Sequence, residues 1–148
     1  MIVGIQGIRH GRIEEVVTLS HFIPEFEAIY DIEEFRRRLD GVPHLILIAE
    51  VAGRLAGFKV GYEREYDGTF YSWMGGVLPV FREQGIATQL ADRQEAWARD
   101  QGYTAVRFKT RNRFKNMLYF ALGRGFEIIE VTPAEFRTDN RIWLEKDL

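Results

Sequence analysis

The residues best suited to chemistry lie between an apolar strand and an amphipathic helix, at positions 77–88. Pro79 turns the chain there, and a short loop with the pattern Arg82-x-x-Gly85-x-Ala87 leads directly into the helix. The first N–H groups of a helix have no partner within it, and the helix dipole adds positive charge at that end. Gly85 would let an anion approach the backbone without an intervening side chain. The stretch therefore predicts an anion-binding loop suited to a pyrophosphate.

The composition excludes several other kinds of site. The 148 residues include no cysteine, which excludes a disulfide, a thiolate zinc site and a cysteine nucleophile. The three histidines, His10, His21 and His44, are far apart and lack metal-ligand spacing, so we expect no metal. A net charge of −2 gives no general attraction to nucleic acid or to an anionic membrane. Any basic site must be local.

The length and hydropathy of the chain favour a single domain over residues 1–148, without a linker or an internal repeat. No run approaches eighteen apolar residues, and the N-terminus lacks the pattern of a signal peptide. We therefore expect no membrane association and a cytoplasmic protein. The oligomeric state is left open, and a homodimer is among the alternatives.

Hydrophobic periodicity and turn residues divide the chain into strands and helices. Strands are predicted at 2–8, 44–51, 55–62, 69–77, 103–110, 126–131 and 141–148. Helices are predicted at 12–20 and 31–39, after Gly85 up to Gly102, and from Phe114 to Leu122. Asp31 is a candidate cap for the second helix. The unbroken apolar run at 44–51 is typical of a strand that is buried on both faces.

The order of these elements determines the fold class. Three strands in succession form an antiparallel meander that delivers the chain to the loop at 77–88. The strand, helix and strand that follow imply a parallel pair with a right-handed crossover. We predict an α/β (α+β) fold with a mixed, mainly antiparallel sheet of about seven strands, flanked by about four helices.

The pattern Val77-x-Pro79-x-Phe81-Arg82-x-x-Gly85-Ile86-Ala87 resembles the acyl-CoA motif of the Gcn5-related N-acetyltransferase (GNAT) superfamily, Q/R-x-x-G-x-G/A. The resemblance extends over the whole chain. Two helices follow the first strand, the meander and loop come next, and the last helix ends before Gly125-Phe126. It implies direct acetyl transfer from acetyl-CoA to a primary amine, on a small molecule or a peptide.

The same resemblance implies where acetyl-CoA would bind. The strands before and after the loop would separate, and the pantetheine arm would lie between them and bond to the backbone near Val77. Arg82 would supply positive charge, and Asn112 would cap the last helix or contact the cofactor. The pyrophosphate would rest on the N–H groups of Gln84, Gly85, Ile86, Ala87 and Thr88.

The catalytic groups are less determined by the resemblance. Members of the superfamily often carry a tyrosine as general acid four residues before the Gly-Phe pair, which here is Ala121. Counting seven residues forward from Asn112 gives Tyr119 instead, and Tyr119 is the candidate acid. A glutamate is frequent six residues before the position of Val77, where this chain has Tyr71. The candidates for the base are Tyr71, Glu63, Glu65 and His21.

Several features keep alternatives open. Phe22, Phe26, Tyr30, Trp73 and Trp143 suit either an acceptor pocket or the core. Arg111, Arg113 and Lys115 form a basic cluster that could contact the 3′-phosphate of CoA or RNA, although a solvated helix start is favoured. A non-catalytic acyl-CoA-binding module is the main alternative to an enzyme. A nucleic-acid partner is disfavoured by the acidic pI near 6.0.

Overall fold

The computed structural model describes residues 6–148, which are organised around one seven-stranded sheet. The strands are β1 (Gln6–His10), β2 (His44–Val51), β3 (Arg54–Tyr62), β4 (Thr69–Val77), β5 (Ala105–Arg111), β6 (Glu127–Thr132) and β7 (Arg141–Asp147). Their spatial order is β1-β2-β3-β4-β5-β7-β6. Only the pair of β4 and β5 is parallel. The predicted mixed, mainly antiparallel sheet is confirmed; residues 2–5 of the predicted first strand lie outside the described residues.

Four helices are present in this part of the chain: α1 (Ile13–Ser20), α2 (Ile32–Leu39), α3 (Ile86–Asp100) and α4 (Lys115–Gly123). The predicted cap of α2 is confirmed, because the Glu34 N–H donates to Asp31 Oδ1 at 2.9 Å. Gly102 adopts a φ of +94° just beyond α3, where a left-handed residue ends the helix. None of these helices is long and apolar enough to cross a membrane.

Two hydrophobic clusters lie on opposite faces of the sheet. Strand side chains alternate between faces, so β2 contributes Leu45 and Leu47 to one cluster and Ile46 and Ile48 to the other. The α3/α4 face also contains Phe70, Val77, Leu90, Val106 and Leu144. The α1/α2 face contains Phe35, Phe58, Val60 and Tyr71. The prediction that β2 is buried on both faces is confirmed.

A polar network fixes α3 against α4 and the sheet. Glu95 of α3 is only 6% exposed, and its two carboxylate oxygens accept from Arg124 at 2.8 Å and from Lys146 at 2.6 Å. Because this buried carboxylate has two cationic donors, the ion cluster is compensated. The network therefore links α3, at whose start the pyrophosphate is predicted to bind, to the end of α4 and to β7.

Candidate active site

The loop before α3 has the backbone of an anion-binding site. Gly85 has a φ of +81° at the N-cap position of α3, where it supplies no side-chain cap. The first bond of the helix runs from Gln89 N–H to the Gly85 carbonyl, so the N–H groups of Ile86, Ala87 and Thr88 point out of the helix end. A Cβ placed on Gly85 would meet no described atom within 4 Å. An anion therefore has room to approach the positive end of α3.

Glu83 is an unexpected feature of this loop, because its φ of +62° is in the left-handed region. A non-glycine residue costs about 1–2 kcal/mol in that conformation. The preceding residue, Arg82, is extended, so the chain changes direction sharply at Glu83. The sequence offered no signal for this strain, since glutamate is not a typical left-handed residue.

The Arg82 side chain stabilises the loop through three hydrogen bonds. Its Nε donates to the Val77 carbonyl at 3.0 Å, and its two terminal nitrogens donate to both carboxylate oxygens of Glu25 at 2.8 and 2.9 Å. The bidentate contact lowers the pKa of Glu25. Arg82 thus links the connection between α1 and α2 to the loop, and its predicted role as a phosphate contact stays a prediction.

The strands on either side of α3 separate where the resemblance predicted. The parallel pairing of β4 with β5 covers only residues 69–71 and 105–107. Beyond Tyr71 and Arg107, β4 continues to Val77 and β5 continues to Arg111 without a shared pairing. In the ladder with β3, Met74 pairs with Val60 and Ser72 with Gly61, so Trp73 is an extra, bulged residue. We call the opening beyond Tyr71 and Arg107 the wedge.

The backbone of Val77 faces the wedge. The Leu78 N–H donates to the Ala56 carbonyl on β3 at 2.8 Å. In an antiparallel pair successive residues point their N–H and C=O groups to opposite sides, so those of Val77 point away from β3. The Val77 carbonyl accepts from Arg82, which agrees with that direction. The Val77 N–H is accordingly directed into the wedge, as expected for a contact with pantetheine.

Two consecutive glycines line the wedge, and their role was not predicted from the sequence. A Cβ on Gly76 would lie 2.6 Å from Ile23 Cδ1, so its absence lets the connection between α1 and α2 pack onto β4. A Cβ on Gly75 would lie 3.6 Å from Lys59 Nζ, on the other face. A Gly-Gly pair within a strand is a recognised sign of close approach, and it was available in the sequence.

Comparison with known proteins agrees with this geometry. The Acetyltransferase (GNAT) family matches residues 16–126, well over half of the chain. This chain belongs to the GNAT family. Acetyltransferase SG1711 of Sodalis glossinidius is 37% identical over 93 residues, which cover 62% of this chain and 63% of that protein. The match thus spans somewhat less than two thirds of this relative.

Solved GNAT-like structures support the fold. The ribosomal-protein-S18-alanine N-acetyltransferase of Escherichia coli has a TM-score of 0.82 at 12% identity, covering 97% of this chain and 94% of that chain. A candidate streptothricin acetyltransferase of Bacillus anthracis str. Ames, in complex with acetyl coenzyme A, has a TM-score of 0.69 at 17% identity, covering 77% and 68%. At these identities the likeness concerns the fold alone.

Tyr119, the GNAT-based candidate for the general acid, lies on the outer side of α4. Its side chain is 70% exposed, whereas Ala121 is buried. Phe120 and Arg124 mark the side of α4 that faces α3, because Arg124 contacts the Phe120 ring and donates to Glu95. Tyr119 lies about 100° around the helix from Phe120. Its role as acid stays a prediction, and the described part of α4 offers only apolar side chains on the buried side, from Leu118 and Ala121.

The candidate bases fall into different surroundings. Burial raises the pKa of Tyr71 to about 12, which disfavours its ionised form. Glu63 accepts a hydrogen bond from the Tyr103 hydroxyl at the opposite end of β4 from the wedge, and burial together with this bond raises the pKa of Tyr103 to about 12. Glu65 accepts from Arg64 at 3.0 Å, and the His21 ring bonds to the Val17 carbonyl at 2.8 Å. Among these four, only Tyr71 lies at the closed end of the wedge.

The remaining predicted residues have structural partners. Asn112 donates through its backbone to the Asn140 carbonyl at 2.9 Å and accepts from Lys115 at 2.8 Å, so it ties α4 to the connection between β6 and β7. Its contact with a cofactor stays a prediction. Arg113 pairs with Glu27 at 2.5 Å and with Asp139 at 3.4 Å. Within the basic cluster Arg113 is therefore paired with carboxylates, Arg111 lies 3.9 Å from Asp139, and Lys115 bonds to Asn112.

The aromatic residues divide between core and surface. Phe22 is 66% exposed, whereas Phe26, Tyr30, Trp73 and Trp143 are half-buried against the cluster on the α1/α2 face. Tyr30 and Trp73 have ring centroids 5.3 Å apart, and Tyr71 and Trp143 are 6.1 Å apart. Four of the five residues thus belong to the packed wall around the wedge rather than to solvent.

Proposed function

We propose that this chain transfers an acetyl group from acetyl-CoA to a primary amine. The observation that carries the proposal is the start of α3 at the left-handed Gly85, beside the wedge between β4 and β5. A helix start of this kind suits a pyrophosphate, and a strand edge with a free direction for hydrogen bonding suits an amide-containing arm. Membership of the GNAT family supports acetyl-CoA as the donor.

In the proposed complex the N–H groups of Gln84, Gly85, Ile86, Ala87 and Thr88 bind the pyrophosphate. The Val77 N–H binds the pantetheine arm, which brings the thioester to the wedge near Trp73. Backbone donors there polarise the thioester carbonyl as charge develops on its oxygen. The contribution of the protein is mainly to orient the two reactants.

The chemical step is a direct attack of the neutral amine on the thioester carbonyl. A C–N bond forms and the C–S bond breaks, the amine loses one proton, and coenzyme A leaves as a thiolate that is then protonated. No cysteine is present to form an acyl-enzyme, so we propose a single transfer. The base that takes the amine proton is not part of the proposal, and Tyr119 is the family-based candidate for protonating the thiolate.

Binding and turnover test the proposal separately. Calorimetry with acetyl-CoA measures binding at the start of α3. The rate at which free coenzyme A is released with a panel of primary amines measures the reaction. We expect micromolar binding and amine-dependent release. Tight binding without release on any amine would favour the non-catalytic module, and absence of binding would contradict the site itself.

A further inference from the structure

A group of cations surrounds aromatic rings on the α1/α2 face of the sheet, at the mouth of the wedge. The guanidinium carbon of Arg38 lies 4.5 Å from the Trp73 ring centroid, and that of Arg64 lies 5.0 Å from the ring of Tyr71. Lys109 Nζ lies 5.4 Å from the Trp143 ring centroid. We call these six residues the cationic basin: Arg38, Arg64, Lys109, Tyr71, Trp73 and Trp143.

The basin lies next to the reacting end of the proposed complex. Trp73 and Lys109 are each two residues beyond the last pair of β4 and β5, which joins Tyr71 to Arg107. Two residues of a strand span about 7 Å. Lys109 faces Trp143 on the α1/α2 face, opposite the face of α3. The wedge between β4 and β5 is open to both faces of the sheet. Acetyl-CoA bound on the α3 face could therefore react in the wedge with an acceptor bound at the basin on the opposite face.

The three cations of the basin differ in how far they are neutralised. Arg38 donates to Glu34 at 2.8 Å and to the Tyr62 hydroxyl at 3.2 Å, and Arg64 donates to Glu65 at 3.0 Å. Lys109 makes no ion pair or hydrogen bond with any residue in the described part of the chain. Among the three cations of the basin, Lys109 is thus the one whose charge no carboxylate of the described residues neutralises through an ion pair.

The surroundings of Lys109 are net positive. Burial is the largest influence and lowers the pKa of Lys109, and Arg141, Arg64 and Arg38 lower it further. Only Glu65 acts in the opposite direction, and it is the smallest influence. The charged form of a half-buried lysine among other cations is disfavoured by desolvation and by repulsion. A bound anion would compensate for both effects. The aromatic rings beneath it would pack against the carbon skeleton of the same molecule.

We propose that the acceptor is an amine that also carries an anionic group, a carboxylate or a phosphate, and that Lys109 binds this group with Arg64 and Arg38 around it. The inference rests on the proposed function. The proposal restricts the acceptor to molecules in which the anionic group and the amine are separated by about the length of one or two strand residues. Lys109 is a specificity-determining residue in this view and takes no part in the proton transfers.

Matched pairs of amines test the inference. We would measure kcat/KM for a panel of α-amino acids and their α-carboxamides, and for O-phosphoethanolamine and ethanolamine, so that carboxylate and phosphate are read separately. The wild type should prefer the anionic member of at least one pair about tenfold or more, as expected for a charge-assisted contact. The carboxamide amine loses its proton more readily than that of the acid, so amine ionisation cannot produce this preference.

Substitution of Lys109 assigns the preference to the basin. Lys109→Met should reduce the ratio of kcat/KM within the pair to about two or less, mainly through KM, and Lys109→Arg should restore it in part. Arg93→Met is the matched control, since it removes one positive charge from an exposed position on α3 and should keep the wild-type ratio. A wild-type ratio near one, or an unchanged ratio in Lys109→Met, would overturn the inference.

A second measurement decides the inference even where no amine is acetylated. Calorimetry in saturating coenzyme A should show tighter binding of the anionic member of a pair, again by about tenfold, with the difference lost in Lys109→Met. Equal binding of both members, or no binding of either, would overturn the inference. Failure of acetyl-CoA itself to bind would instead contradict the proposed function, because the basin does not contact the start of α3.

Discussion

Gly85→Ala is the sharpest perturbation of the donor site, because its effect on stability can be separated from its effect on binding. The φ of +81° places an alanine in the left-handed region, which costs about 1–2 kcal/mol of unfolding free energy. No described atom lies within 4 Å of the new Cβ, so steric overlap adds nothing. For a chain of this size the melting temperature should fall by about 2–8 °C.

Gly102→Ala supplies the matched control. Gly102 has a φ of +94° at the other end of α3, and a Cβ there also meets no described atom within 4 Å. The same backbone strain should therefore produce a similar loss of stability. The control differs from Gly85→Ala only in its distance from the proposed pyrophosphate.

The two variants should differ in acetyl-CoA affinity. A methyl group on Gly85 stands in front of the N–H groups that would bind the pyrophosphate, and loss of one hydrogen bond to a charged group costs about 1.5–3 kcal/mol. That corresponds to a rise in Kd of about 10-fold to 150-fold. Calorimetry should show this rise for Gly85→Ala, no binding for Gly85→Glu, and the wild-type Kd for Gly102→Ala. Equal Kd values for Gly85→Ala and Gly102→Ala would refute the assignment of the donor site.

Three further predictions follow from the same geometry. Glu83→Gly should raise the unfolding free energy by about 1 kcal/mol, because it relieves a left-handed glutamate, and should lower the Kd for acetyl-CoA by removing a carboxylate beside the pyrophosphate. Tyr119→Phe should lower kcat by about tenfold or more, because Tyr119 is the family-based candidate for protonating the thiolate and a general acid contributes about 100-fold or more. Lys59→Met should raise the unfolding free energy at pH 7 by roughly 1–3 kcal/mol, because burial lowers the pKa of Lys59 from 10.5 to about 8. That gain should shrink as the pH rises from about 8 to 10.5, where the unfolded lysine also loses its proton.

Each of these predictions has a contrary result. A Glu83→Gly protein that melts below the wild type in thermal unfolding would show that the left-handed conformation carries no strain. A kcat of Tyr119→Phe within about twofold of the wild type would contradict the assignment of the phenol as the general acid. A gain from Lys59→Met in denaturant unfolding that does not change with pH would mean that Lys59 is not desolvated.

The features that sequence could predict are those that depend on residues adjacent in the chain. One short stretch contains Pro79, Gly85 and the apolar periodicity of α3. The strand, the loop and the helix could therefore be predicted together. The parallel pairing of β4 with β5 followed from the crossover helix between them. The bulge at Trp73 was not readable, because it arises from the pairing of β3 with β4, and register shifts depend on both strands.

Contacts between distant residues account for most of what was missed. The phosphate role of Arg82, taken from its place in the motif, stays a prediction, whereas its bidentate contact with Glu25, 57 positions away, was not predicted. The rotation of α4 was similarly undetermined, because its apolar stripe shows that Ala121 is buried without showing which side faces α3. The contact of Arg124 with Glu95 settles that side, and it is visible only in three dimensions.

The two sides of the wedge use different parts of the chain, and this explains why the donor could be predicted and the acceptor could not. The proposed donor site consists of backbone N–H groups on one loop and one helix start, so a glycine and a turn are enough to indicate it. The cationic basin instead combines side chains from α2, from the connection between β3 and β4, and from β4, β5 and β7. An isolated arginine or tryptophan on one element gives no signal of a binding site in the sequence. The site forms only because the sheet places these residues side by side. A change of acceptor would then require only substitutions at positions such as Lys109, with the backbone of the donor site left intact.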